Sequence, residues 1–73
     1  MDRQVAETVC AMIGEIFAKM SDFVTYSDAN SKDESIQYRR KHAIGSCIAE
    51  MDLEILEPIY KEYPELRPDI LKR

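Results

Sequence analysis

The chain reads as an all-α protein, an antiparallel helical hairpin of two long helices plus a short C-terminal tail, expected to pair into a homodimeric four-helix bundle. Three observations predict this. Apolar residues recur at helical spacing through residues 5–24, a cluster of turn-forming residues interrupts the pattern at 27–31, and a second helical pattern then carries two apolar stripes. The composition agrees: 45% of the 73 residues are hydrophobic and 33% charged, with only two Gly and three Pro.

Helix 1 is predicted over about 2–26. On a wheel of 100° per residue, Val5, Ala6, Val9, Cys10, Met12, Ile13, Ile16, Phe17, Met20, Phe23 and Val24 share an arc of about 160°. Arg3, Glu7, Glu15, Lys19 and Asp22 lie outside it. So wide an arc exceeds the roughly 100° that one neighbour covers, so helix 1 is expected to pack against two others. The loop is predicted at 27–31, where Ser-Asp-Ala-Asn-Ser offers short polar side chains that bond their own backbone and favour turns.

Helix 2 is predicted over about 32–62. Ser31-Lys32-Asp33-Glu34 has the form of a capping box, with Ser31 accepting the Glu34 backbone N–H and the Glu34 carboxylate reaching back. A kink is expected near Pro58, which removes one helical bond and crowds the carbonyl of Glu54. Tyr63-Pro64 ends the helix, because the residue before proline avoids helical angles. The tail, 63–73, contains Pro64 and Pro68 and reads as irregular.

Helix 2 carries one stripe of Ile44, Cys47, Ile48, Met51, Ile55 and Ile59, with Ile36 at its edge, expected to face helix 1. The other stripe is Tyr38, His42, Gly45, Ala49, Leu53, Leu56, Tyr60 and Tyr63, stepping by three and four, a near-heptad seam. These eight residues are the predicted interface. A symmetric dimer supplies the second neighbour that both helices require. The alternative cover is the tail, folding Leu66, Ile70 and Leu71 back over Leu56, Tyr60 and Tyr63. A second chain also answers a size constraint, since a domain this short draws only roughly 3–5 kcal/mol from its core and needs a disulfide, a metal or a partner.

The other two props have little to rest on. Two cysteines, Cys10 and Cys47, form no CxxC pair and read as reduced buried thiols, although a hairpin turning near residue 29 would bring Cys10 opposite Cys47 or its neighbours. Cys10, Cys47 and the one His42 have no zinc-ligand spacing. A di-iron bundle needs Glu three residues before His, and Arg39 stands there. No cofactor and no metal are expected.

Catalysis finds no foothold either. One histidine and no Gly-x-Ser-x-Gly elbow leave no nucleophilic triad, and Gly14 and Gly45 are too far apart for a phosphate loop. Arg39-Arg40-Lys41-His42 is the one basic cluster, but consecutive helical residues point in different directions, a collar and not a groove-reading face. With a net charge of −4, nucleic-acid binding is the weaker alternative, and a ligand-binding bundle another. Asp52 projects between the two stripes, where it is a candidate for a register-setting ion pair across the dimer with Lys41. His42 in the seam is read as a packed neutral imidazole.

Charges interrupt every apolar run, so no signal peptide and no membrane span are read, and a cytoplasmic setting is expected. The sequence therefore predicts a non-enzymatic protein that acts by self-association and protein–protein contact, of adaptor, regulator or inhibitor type. The partner is a second copy, together with a protein that the sequence does not identify.

Overall fold

The computed structural model describes residues 1–68, and over that span every regular element is helical. The order is α1 (Arg3–Asn30), α2 (Glu34–Met51), a π-helical turn (Asp52–Leu56), α3 (Glu57–Glu62) and a closing 3₁₀ turn (Pro64–Leu66). The residues joining α2, the π turn and α3 all keep right-handed helical angles, so the three form one continuous rod. It runs antiparallel to α1, and the molecule measures 45 × 20 × 18 Å.

The hairpin turns later and more tightly than the sequence suggests. Ser27, Asp28, Ala29 and Asn30 stay helical, and the chain reverses over Ser31, Lys32 and Asp33 alone. The polar side chains that ordinarily pull such a segment into a turn are engaged elsewhere. Ser27 is buried and its Oγ accepts a 2.7 Å bond from Arg40 Nη1, while Asp28 pairs with Lys41 at 2.8 Å. Asn30 Nδ2 donates to the Tyr26 carbonyl at 2.9 Å, and the Gln37 amide donates to the carbonyls of Asp28 and Ser31. Acceptors that the end of α1 would otherwise leave unpaired are thereby satisfied.

The cap of α2 shifts with the turn. Ser31 is extended and closes α1, so the Ser31–Glu34 capping box does not form. Asp33 is the N-cap, its Oδ1 accepting from the backbone N–H of Ser35 at 2.9 Å and of Ile36 at 3.3 Å. A carboxylate suits this place as well as a hydroxyl, because the exposed N–H groups and the helix dipole both favour negative charge.

The disturbance expected at Pro58 takes the form of the π turn just before it. Proline brings no N–H, and its ring would crowd the carbonyl four residues back. The chain absorbs this by widening one turn, so that the Glu57 N–H bonds the Asp52 carbonyl five residues earlier. The extra residue rotates everything downstream. Partly buried Ile44, Ile48 and Met51 are followed on the inner face by Leu56, Ile59 and Tyr60, 6%, 3% and 6% exposed, so Ile59 of the expected stripe stays inward while Ile55, next in an unbroken α register, is 37% exposed.

The core is correspondingly short. Ile13, Leu56 and Tyr60 form its centre, with Val9, Cys10, Phe17, Met51 and Leu66 packed against them. Cys10 thus lies at the level of Tyr60 and not of Cys47, which is exposed. The Ser27–Arg40 register places Cys47 near the level of Met20, about 15 Å along the axis from Cys10. Both thiols are free, and no bridge joins them.

Leu66 folds back onto the core as the tail alternative anticipates, while Ile70 and Leu71 lie outside the described residues. Arg67 clamps this return. Its guanidinium sits 4.7 Å from the Tyr60 ring centre and pairs with Glu57 at 2.9 Å. That hydrogen bond holds the Glu57 carboxyl below its ordinary value, so the contribution is fully present above the ordinary carboxylate range and is lost as pH falls from there through the lowered value. At the same end Arg3 engages Glu65 and Glu7, and the Tyr63 hydroxyl donates to the Met1 carbonyl.

The placement of the cap makes a direct prediction. Asp33→Ala should cost about 1 kcal/mol and lower the melting temperature by about 4–8 °C, while Ser31→Ala leaves it nearly unchanged. Thermal denaturation followed by circular dichroism checks both.

Candidate association surface

The hairpin contact divides the surface into two flanks, and the polar bonds near the turn mark them. Ser27 and Asp28 are 100° apart around α1, so the Ser27–Arg40 bond lies on one flank and the Asp28–Lys41 pair on the other. On the Ser27 flank, four residues before Ser27, stands Phe23, the start of a line running back along α1. Val5, Val9, Met12, Ile16, Lys19, Phe23 and Tyr26 alternate steps of four and three without interruption.

This outer seam is largely uncovered. Val5 is 48% exposed, Met12 58%, Ile16 41% and Phe23 47%, and Tyr26 is more open still. Met12, Ile16 and Ala18 floor a shallow apolar groove rimmed by Glu15, Lys19 and Asp22. No ion pair engages those three charges among the described residues. On α2 the same flank carries Arg40 with its neighbours one turn away, Ile36 and Ala43, and then the exposed Cys47.

The predicted seam of the second helix is split by the π turn. Tyr38, His42, Gly45, Ala49 and Leu53 are exposed, whereas Leu56 and Tyr60 are buried in the chain's own core and Tyr63 is half-buried. Leu56 and Tyr60 are therefore intrachain core residues and are removed from the interface. Before the turn, Tyr38 and His42 stack with ring centres 6.1 Å apart on the exposed surface of the chain. Neither glycine is crowded within the hairpin, since a Cβ at Gly14 or Gly45 would meet nothing within 4 Å.

Lys41 is occupied by Asp28 within the hairpin, and Asp52 stands half-buried at the start of the π turn. The basic collar is likewise partly consumed, since Arg40 and Lys41 bond to Ser27 and Asp28 on opposite flanks. Arg39 and His42 remain exposed. Among the described residues no cluster of three or more His, Cys, Asp or Glu is placed to hold a metal ion. No helix there is long and apolar enough to cross a membrane.

The shape carries a quantitative statement. A compact monomer of 8.5 kDa is expected to expose about 4,700 Å². This chain exposes 5670 Å², and its radius of gyration is 14.8 Å, against about 11 Å for a compact domain of its length. The excess, about 1,000 Å², follows from the elongated 45 × 20 × 18 Å shape of two rods lying side by side. Compared with family models, curated proteins and solved structures, the chain matches none.

The thiols provide a check on the register. Mild oxidation of dilute native protein should yield no intramolecular Cys10–Cys47 bridge, read by intact mass and peptide mapping. Cys10, half-buried and with burial pushing its thiol pKa up, should alkylate on the order of tenfold more slowly in native protein than in urea.

Proposed function

We propose that this chain is a non-enzymatic association module that works as a homodimeric four-helix bundle, two hairpins stacking on the flank that carries the outer seam of α1. The observation that carries the reading is that seam: seven consecutive heptad positions, mostly apolar and mostly exposed.

The role that follows is that of an adaptor, regulator or inhibitor. Dimerisation uses one flank and leaves the other, with exposed Tyr38, His42, Ala49 and Leu53, open to a different protein. Two free thiols support action in a reducing, cytoplasmic setting.

Light scattering on a sizing column over a hundredfold concentration range tests the association. The expected mass is twice the 8.5 kDa of one chain. The double variant Ile16→Glu/Phe23→Glu should elute at the single-chain mass with its helical circular dichroism retained. A wild-type protein that stays at 8.5 kDa throughout overturns the proposal.

A further inference from the structure

We infer that the two copies meet through α1 itself, antiparallel about a two-fold axis at Ile16, with Lys19 of each chain seated against the partner's Glu15. The inference rests on the self-association proposed above and adds its geometry and specificity. Of the two helical rods, α1 alone offers an unbroken heptad line on the exposed flank. The second rod is interrupted there by the π turn, and its Arg40 is already bonded to Ser27. A seam of uninterrupted period needs a mate of the same period, and in an isologous dimer the patch is its own mate.

The order of side chains along the seam selects the antiparallel arrangement. One end holds the valines, Val5 and Val9, and the other the aromatics, Phe23 and Tyr26. Centred on Ile16, antiparallel pairing sets Val9 opposite the partner's Phe23 and Val5 near the partner's Tyr26, so the outer layers at both ends join a small and a large residue. Parallel pairing would stack ring on ring at one end and valine on valine at the other, overpacking the first and leaving voids in the second.

The single charge in the seam makes the same choice. In a parallel pair the two Lys19 ammonium groups would face one another across the interface, which is repulsive in a partly dry setting. In the antiparallel pair each Lys19 lies close to Met12 of the partner, over which its aliphatic stem can run. The partner's Glu15 is offset by only about 3 Å along the axis. Glu15 and Lys19 are one turn apart within a chain, yet no ion pair joins them there, so both are available across the axis.

Charge reversal and mixing test this. Lys19→Glu alone and Glu15→Lys alone should each weaken the dimer at least about tenfold, because each puts like charges at both symmetric contacts. Mixed in equal amounts, the two variants should recover a heterodimer near wild-type affinity, read by native mass spectrometry. In a Cys10→Ser/Cys47→Ser background, Ile16→Cys should cross-link to a covalent dimer on oxidation. Phe23→Cys, whose two copies would be about 21 Å apart along the axis, should not. A wild-type dimer with no heterodimer preference, or equal cross-linking at both positions, overturns the antiparallel pairing and leaves self-association standing. A wild-type monomer overturns both.

Discussion

One residue without an N–H governs the register of the second half of the molecule. Pro58 sits inside what is otherwise a continuous helical rod, where it removes a bond and crowds the carbonyl four residues earlier. The chain accommodates it by letting the Glu57 N–H reach back five residues to Asp52 instead of four. That widened turn inserts one residue into the helical count, and the inward face passes from Met51 to Leu56, Ile59 and Tyr60. The core, the fold-back of Leu66 and the stacking of Arg67 over Tyr60 all depend on that rotation.

The two ends of the hairpin are held by different chemistry. At the turn, the bonds are polar and specific: Arg40 to Ser27, Lys41 to Asp28, and the Gln37 amide to two carbonyls. They fix where the helices cross, since a slip of one residue would move all three sets of partners apart. At the other end, apolar packing around Ile13, Leu56 and Tyr60 supplies the burial, and Arg3 and Arg67 pair with carboxylates at its rim. The surface pairs individually contribute little, and the apolar cluster contributes most of the stabilisation.

What this leaves unburied is as informative as what it buries. Among the described residues only Ala6, Ile13, Leu56, Ile59 and Tyr60 are buried apolar side chains, a thin core for a chain that is 45% hydrophobic. Two antiparallel rods can hide only one face each, so the second apolar line of α1 stays at the surface.

Helical class, hairpin and the break near Pro58 were all legible from residue order alone, because helical periodicity and the chemistry of proline are local properties. Applying the four-three step count to helix 1 as well as to helix 2 would also have found the outer seam, as the 160° arc contained both of its faces. Tertiary structure decided the rest. Ser27 and Asp28 remain helical because Arg40 and Lys41, distant in sequence, take up their side chains. Asp33 caps in place of Ser31 because the turn moved with them. Leu56 and Tyr60 belong to the core because a constant 100° per residue, which any wheel assumes, fails across a π turn whose position only the folded backbone reveals.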